Sequence, residues 1–284
     1  MDLKDYPRQG DGLTQFAKPP CFELDGQNFT FVMDGGIDFE IAVTGRTTLL
    51  WNAVGEAQRE AAYDCVKADD LTYLLTFRVF GDGPTESHTY IIDLEQRLVT
   101  RHICFAGTNP RHPLLLVNHY DFGAIRTEGY ALPYKRHYYT DELLGTNVEW
   151  HWTTDLVSRH AYVHTNFYRV TWEEGSAMEE AFEEEFDKIP ATDELATFIR
   201  IKDGIYLFVV TEEKVERLLD DDQPFRSDSM LFILNFDRCF HIGRAFGAMM
   251  VDGRPEPLYM IFGAFGNTLE LPESLLRAPN RYTA

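Results

Sequence analysis

The chain has 284 residues, with 46 acidic against 26 basic side chains and a net charge of −20 at pH 7. This length fits one large domain or two domains of ordinary size. Because so acidic a surface repels phosphate backbones and anionic lipids, the charge argues against nucleic acid or a membrane as a partner. Aromatic residues make up 14% of the chain, which favours a β-rich core and an aromatic-walled pocket for a small molecule.

The sequence also indicates a cellular compartment. The first residues contain no apolar segment typical of a signal peptide, and no apolar run approaches the ~20 residues that span a bilayer. The four cysteines are far apart and form no Cys-x-x-Cys pair: Cys21, Cys65, Cys104 and Cys239. We therefore expect a cytoplasmic protein with reduced thiols.

The first half of the chain predicts strands. Residues 1–25 hold three prolines among scattered polar residues and are expected to form an N-terminal arm. A β module is predicted over 26–107, where segments rich in Phe, Val, Ile, Thr and Tyr recur between turn-forming Gly, Asp and Pro residues. Residues 97–103 alternate at period two, which predicts a strand with one buried face.

Residues 108–139 are predicted to connect the first module to a second β module over 140–284. The connector contains prolines and an aromatic cluster, whereas a flexible linker is polar, so we expect it to pack against the β-structure. Only a few short helices are predicted, at 140–145, 178–186 and 213–222, where capping residues or apolar pairs at i, i+4 favour one or two helical turns.

The second half of the chain repeats the first. Three pairs of residues occupy matching places in similar strand-like segments: Trp51 and Trp172, Tyr73 and Tyr206, and Asp93 and Asn235. The spacing between the copies grows along the chain, which indicates a duplication with longer loops in the second copy. Many short antiparallel strands in two copies predict a mainly β fold, with closure into a barrel removing exposed edges.

Four segments of the second half, taken together, resemble the molybdenum cofactor biosynthesis protein F family, called MoaF-like: 139–150, 160–172, 202–208 and 242–247. The resemblance covers most of the chain, with 26–107 similar to the family's N-terminal domain and 140–266, in the second module, similar to its C-terminal domain. It implies a lipocalin-like (calycin) antiparallel barrel built from a duplicated module, with a ligand cavity. Arg159 stands where the family tends to have an acidic residue.

The strongest candidate cluster is His160, Tyr162 and His164. On a strand, alternate residues point to one face, so these three would line a barrel cavity. His160 and His164 would then lie about 13 Å apart, at ~3.3 Å per residue, which is too far to share a metal ion. We therefore expect no metal site, and the alternative to a polar stripe is a pair of surface histidines with satisfied hydrogen bonds.

Two basic positions follow the third matched strand of each copy. His102 lies beside Arg101, and His241 lies three residues before Arg244. A neutral histidine can move a proton near pH 7, and an arginine can hold a carboxylate or enolate oxygen. Solvated basic residues at strand ends are the alternative interpretation.

The duplicated aromatic residues are the remaining candidates. Trp51, Trp172 and Tyr206 would either build the core or contact a substrate, and Arg200 would lie near them. The chain lacks the phosphate-binding, dinucleotide-binding, serine-hydrolase and zincin motifs. No cofactor is therefore expected.

Taken together, the sequence predicts a cofactor-independent enzyme, an isomerase, cyclase or lyase, that acts on a small aromatic or hydrophobic molecule in a barrel pocket. His160, Tyr162, His164 and Arg244 would be catalytic. Phenolic acid decarboxylases are similar in architecture, and their barrels host such chemistry. The alternative is a lipocalin-like binding protein without turnover, and either one could form a homo-oligomer.

Overall fold

The computed structural model describes residues 12–81, 85–105, 116–154, 156–172, 192–211, 226–251 and 254–269. The described residues form seventeen strands and one short 3₁₀ turn, Gly12–Thr14. The strands are β1 (Asn28–Met33), β2 (Phe39–Val43), β3 (Thr48–Ala53), β4 (Arg59–Lys67), β5 (Thr72–Val79), β6 (Glu86–Asp93), β7 (Leu98–Phe105), β8 (Val117–Ile125), β9 (Tyr138–Tyr139), β10 (Asn147–His151), β11 (Val157–His164), β12 (Phe167–Trp172), β13 (Thr192–Lys202), β14 (Ile205–Thr211), β15 (Arg226–Asn235), β16 (Phe240–Val251) and β17 (Arg254–Leu269).

Strands β1 to β8 form a closed antiparallel barrel in which each strand pairs with the next one along the chain. The barrel closes where β8 pairs with β1, for example between Ile125 and Phe31. Its interior is a continuous apolar cluster that includes Phe31, Trp51, Phe77 and Tyr90. Alternation along each strand therefore buries one face of every strand inside the first barrel.

Strands β10 to β17 repeat this order and close through pairing of β10 with β17. The small strand β9 adds to β13 beside this second barrel. Its interior cluster holds Trp150, Tyr162, Phe208 and Phe262. The predicted mainly β fold of two duplicated barrel modules is thus confirmed, and the matched pairs fall on equivalent strands, with Trp51 on β3 and Trp172 on β12.

Both barrels are closed at the same end by the same turn. Leu24 and Leu143 precede the first strand of their barrels and are almost fully buried in the two cores. Two residues later, Gly26 and Gly145 adopt positive φ angles of 78° and 87°, which glycine accepts without strain. Their N–H groups donate to equivalent carbonyls, of Val43 and of Tyr162. The expected helix at 140–145 is therefore this plug turn.

The two barrels pack through equivalent faces. The outward side chains of β4, β5 and β6 meet those of β13, β14 and β15 in one apolar cluster. Leu74 and Leu207 are equivalent, and so are Ile91 and Ile233, and all four are fully buried there. A contact in which equivalent surfaces face each other is the arrangement of a twofold-symmetric dimer.

Polar contacts across this interface follow the same symmetry. Asp69 and Lys202, which are equivalent positions, form an ion pair with an N···O distance of 2.5 Å. Asn235 donates from Nδ2 to the carbonyl of Ala68 at 2.8 Å. In the opposite direction, Gln96 donates to the carbonyl of Ile201 at 3.0 Å. The barrels are thus joined by matched hydrogen bonds as well as by apolar packing.

The connector predicted over 108–139 contains a strand of the first barrel. The first barrel continues past residue 107, because β8 lies in the range expected for the connector. The rest of the connector packs on this barrel through buried His137, whose Nδ1 lies 2.8 Å from the hydroxyl of Thr100. The expected helices at 178–186 and 213–222 lie outside the described residues, as does the expected N-terminal arm up to residue 11.

Among the described residues, no helix has the length and apolar character needed to cross a membrane.

The plug turn gives a first prediction. Replacing Leu24, which is 1% exposed, with alanine should lower the free energy of unfolding by about 2–5 kcal/mol, because it leaves a cavity under the first barrel. Urea titration followed by tryptophan fluorescence measures the loss. Leu132→Ala is the control, since Leu132 is 40% exposed, and it should change stability by less than about 0.5 kcal/mol. Equal effects of the two substitutions would contradict the assigned role of Leu24.

Candidate functional site

Strand β6 places three polar side chains in a row inside the first barrel. Glu86, His88 and Tyr90 alternate with residues that face the second barrel, because successive side chains of a strand point to opposite sides. Glu86 begins the strand at the open end of the barrel, and its side chain is 38% exposed, whereas that of His88 is 3% exposed. Tyr90 is fully buried. The row therefore leads from solvent into the core.

Glu86 orients the ring of His88. The Oε2 atom of Glu86 lies 2.6 Å from Nε2 of His88. Burial lowers the pKa of His88 below 6.5, although the carboxylate opposes this shift, and hydrogen bonding to His88 lowers the pKa of Glu86. The pair is therefore a neutral imidazole that donates from Nε2 to a carboxylate. Its Nδ1 is buried and has no hydrogen-bond partner among the described residues.

Arg101 lies opposite Tyr90 on the neighbouring strand β7. Its guanidinium carbon is 3.8 Å from the centre of the Phe39 ring, a cation–π contact that keeps the charge at the barrel wall. Burial raises the pKa of Tyr90 to about 12, and the nearby charge of Arg101 partly offsets the rise. Within the described part of the chain, neither the Tyr90 hydroxyl nor Arg101 Nε makes a hydrogen bond of ordinary geometry.

Aromatic rings surround this polar row. Trp51, a predicted substrate-binding residue, lies with its ring centre 5.2 Å from that of His88 and 5.4 Å from that of Phe77. Phe31 stacks on Tyr90 at 5.2 Å. The site thus combines one cation, one oriented imidazole and one phenol in an aromatic enclosure, which is the composition of pockets for small conjugated molecules.

The second barrel keeps only the carboxylate of this polar row. The position of Glu86 is held there by buried Asp228, those of His88 and Tyr90 by Met230 and Phe232, and that of Arg101 by Gly243. A side chain at Gly243 has no room, because its Cβ would lie 2.3 Å from the ring of Phe262. The combination of imidazole, phenol and guanidinium is therefore a property of the first copy, and the duplication has left the two interiors chemically different.

The interior of the second barrel contains His160 and Tyr162, as the alternation of β11 predicted. Ser158 accepts a hydrogen bond from Trp152 Nε1 at 2.8 Å, and its Oγ lies 3.2 Å from Nε2 of His160. Nε2 of His160 is therefore engaged by the serine hydroxyl, whichever of the two atoms carries the proton. Burial lowers the pKa of His160 to about 3 and raises that of Tyr162.

His241 shares this interior with His160. Its ring lies 4.6 Å from that of Trp150 and 4.7 Å from that of Trp152. Burial, with a contribution from His160, keeps its pKa well below 6.5. Both nitrogens of His241 and Nδ1 of His160 are buried without a hydrogen-bond partner among the described residues. The Tyr162 hydroxyl and Trp150 Nε1 form no hydrogen bond of ordinary geometry there, but they interact with each other.

His164 does not join His160 and Tyr162. The register of β11 against β12 shifts between Ala161 and His164, so His164 lies at the hairpin turn and is partly exposed. Its Nδ1 accepts a hydrogen bond from the N–H of Asn166 at 3.1 Å. In the described ranges, no three His, Cys, Asp or Glu side chains are grouped so that they could hold a metal ion.

His102 and Arg244 meet at the interface between the barrels, on the outer faces of both. Arg244 Nη2 donates to Nδ1 of His102 at 3.0 Å, and Nε2 of His102 lies 2.9 Å from the Asn118 side-chain oxygen. Both side chains are fully buried. The alternative interpretation, in which they were solvated basic residues at strand ends, is therefore wrong for His102 and Arg244. Burial and the charge of Arg244 keep the pKa of His102 well below 6.5. Arg244 therefore points away from His160.

Arg200 and Tyr206 lie together on the surface of the second barrel. Both hydrogen-bond to Glu142, and Tyr206 does so at 3.0 Å. Arg200 also pairs with Asp203 and lines an open groove of about 1060 Å³ between the two barrels. The side chain of Trp172 lies outside the described part of the chain. The predicted site residues whose side chains are described therefore fall into five separate places.

Sequence reasoning missed Glu86, His88, Tyr90 and Arg101. The sequence signal for them was the alternation of Glu86, His88 and Tyr90, in a segment whose counterpart in the second copy, around Phe232, is mostly apolar. Only a comparison of the two copies position by position distinguishes this polar row from an ordinary strand.

The buried histidines make stability depend on pH. His160 has a pKa of about 3 in the folded protein, against an ordinary histidine pKa of 6.5, so below about pH 6.5 the unfolded chain binds a proton that the folded chain does not. This one group should lower the free energy of unfolding by about 1.4 kcal/mol per pH unit as the pH falls through that range. In urea titrations from pH 7 to 5, His160→Gln should reduce the slope, whereas His164→Gln should leave it unchanged. An unaltered slope in His160→Gln would show that this histidine is not held neutral.

One comparison with known proteins gives a match. Residues 4–105 match the family model of the MoaF N-terminal domain. No curated protein matches the chain. The matched range covers β1 to β7 and includes the whole polar row of the first barrel, from Glu86 to Arg101. The expected MoaF-like resemblance is confirmed over this range, in which the first barrel is similar to the MoaF N-terminal domain.

Proposed function

We propose that the protein is a cofactor-independent enzyme that isomerises, cyclises or cleaves a small aromatic or conjugated molecule inside the first barrel. The supporting observation is a set of three buried polar atoms that form no hydrogen bond of ordinary geometry within the described residues: Nδ1 of His88, the hydroxyl of Tyr90 and Nε of Arg101. Tyr90 and Arg101 interact with each other, so a ligand between them would compete with that contact. An unpaired buried polar atom costs roughly 1–3 kcal/mol. A ligand with an acidic oxygen and a transferable proton would satisfy all three.

The distances suit a single small molecule. His88 and Tyr90 are two residues apart on one strand, which is about 6.6 Å along its axis. Arg101 is the cross-strand neighbour of Tyr90, and such pairs lie about 5 Å apart at Cβ. A molecule the size of an aromatic acid therefore reaches the imidazole, the phenol and the guanidinium at the same time.

Each group has a distinct role in this proposal. His88 accepts a proton at Nδ1, and the carboxylate of Glu86 stabilises the imidazolium that results, as a carboxylate does in a catalytic triad. Tyr90 stays protonated near pH 7 and donates to the carbon or oxygen that gains the proton. Arg101 holds the carboxylate or enolate oxygen where negative charge develops.

The catalytic proposal is tested by proton exchange. A panel of aromatic carboxylic and 2-oxo acids is incubated with the protein in D2O, and NMR follows C–H exchange, double-bond migration and loss of CO2. For the member that reacts, His88→Gln should lower kcat at least 100-fold, the usual scale of a general base. His164→Gln, which is far from this site, should retain full activity. Full activity in His88→Gln would remove the imidazole from the mechanism.

Binding tests the role of Arg101 separately. Cinnamate should quench the fluorescence of Trp51, and Arg101→Gln should weaken its binding about 10- to 100-fold, because a charge-assisted hydrogen bond is lost. Arg46→Gln is the matched control: Arg46 also lies over an aromatic ring, that of Phe22, but at the closed end of the barrel. Equal affinity in the Arg101 and Arg46 variants would place the anion site elsewhere.

A second candidate function is binding without turnover in the second barrel. The unpartnered nitrogens of His160 and His241, together with Tyr162 and Trp150, favour an uncharged ligand with several hydrogen-bonding groups, because no group of this set carries charge near pH 7. A neutral aromatic alcohol such as 2-naphthol should bind, and Tyr162→Phe should weaken this binding while His88→Gln does not. Loss of naphthol binding in His88→Gln instead would assign it to the first barrel.

A further inference from the structure

Two cysteines that are distant in sequence meet at the closed end of the first barrel. Cys21 lies in the segment before β1, and Cys65 lies near the end of β4. The N–H of Cys21 donates to the carbonyl of Cys65 at 2.8 Å. This backbone hydrogen bond brings the two residues close together in space, as a disulfide between them requires. Both thiols are reduced in the structure.

The two side chains also interact. The thiol of Cys65 donates a hydrogen bond to the sulfur of Cys21, which lowers the pKa of Cys21 to about 6 and raises that of Cys65. Lys67 adds a smaller contribution in the same direction at Cys21. Cys21 is half-buried, whereas Cys65 is 3% exposed. One sulfur is thus an accessible thiolate near pH 7, and the other is a sheltered thiol in contact with it, as in a nucleophilic and a resolving cysteine.

We propose that Cys21 and Cys65 form a reversible disulfide when the protein reacts with a hydroperoxide. The Cys21 thiolate attacks the peroxide, the O–O bond breaks, and the leaving oxygen departs as an alcohol or water, which leaves a sulfenic acid. The sulfur of Cys65 then attacks the sulfur of Cys21. The S–O bond breaks, and the hydroxide leaves as water with the Cys65 proton. Two electrons pass from the sulfurs to the peroxide.

The disulfide would fix the plug of the first barrel. Leu24, which fills the closed end, is three residues from Cys21, so a covalent bond to β4 holds the plug turn in place. The second barrel has the same backbone contact, from the N–H of Thr140 to the carbonyl of Phe198 at 3.1 Å, but without sulfur at either position. The thiol pair is therefore an addition to this contact and is not required for it.

The other two cysteines differ in their surroundings. Cys104 is fully buried between the barrels, and burial raises its pKa. Cys239 is exposed, and its thiol lies 3.5 Å from the carbonyl of Phe236. Neither shows a contact with another cysteine among the described residues, so Cys239→Ser serves as a control for surface oxidation.

The experiment treats the full-length chain with hydrogen peroxide at pH 7 and counts thiols before and after. We expect two thiols to disappear and to return with dithiothreitol, and a tryptic digest to contain one peptide pair joined through Cys21 and Cys65, lighter by about 2 Da than the sum of the two. Cys21→Ser should slow thiol loss at least tenfold. Cys65→Ser should stop at a sulfenic acid that dimedone traps, and Cys239→Ser should behave like the unmodified chain.

Three results would overturn the proposal: a joined pair that includes Cys104 or Cys239, irreversible oxidation of Cys21 without a joined pair in the unmodified chain, or unchanged kinetics in Cys21→Ser. Circular dichroism and unfolding midpoints of the serine variants confirm that each one folds. The proposal is independent of the chemistry assigned to the first barrel, so a failure of the proton-exchange assay leaves it intact.

Discussion

The alternation of side chains along a closed barrel wall governs the rest of this structure. In an isolated barrel, one face of each strand is buried and the other meets water. Here the outer face of β5 to β7 is covered, chiefly by the second barrel, so these strands are largely buried on both sides. Thr89, Thr100 and His102 on that outer face are fully buried, and each has a hydrogen-bond partner there: Thr76, His137 and Arg244 respectively. The same alternation sends Glu86, His88 and Tyr90 inward.

The two copies share their framework and differ in the side chains inside the barrels. Both copies keep the plug turn, the strand order and the packed outer face, because each of these carries the fold. Inside, the copies diverge: the first has a carboxylate, an imidazole, a phenol and a guanidinium along two strands, whereas the second has Asp228, Met230, Phe232 and Gly243 at the same positions. Its own histidines, His160 and His241, lie among tryptophans and stay neutral. The two barrel interiors thus differ in the polar side chains that they hold.

Much of this fold was predictable from the sequence, and less of the site was. The repeat of Trp51 and Trp172 indicated two β modules, and strand periodicity placed His160 and Tyr162 on one face. Strand periodicity does not predict that Arg244 and His102 point outward and contact each other, because this contact depends on how the two barrels pack together. A register shift of one residue between β11 and β12 separates His164 from the inward-facing His160 and Tyr162. The contact of Cys21 with Cys65 joins segments that no local pattern relates.

The burial of Arg244 has a consequence for how the molecule unfolds. Separating the barrels would expose the apolar faces of both. It would also break the hydrogen bond between the Arg244 guanidinium and His102 before water can solvate either group. Such half-open states are high in free energy. The two barrels should therefore lose their structure in a single cooperative transition, as one thermodynamic unit rather than as two domains on a tether.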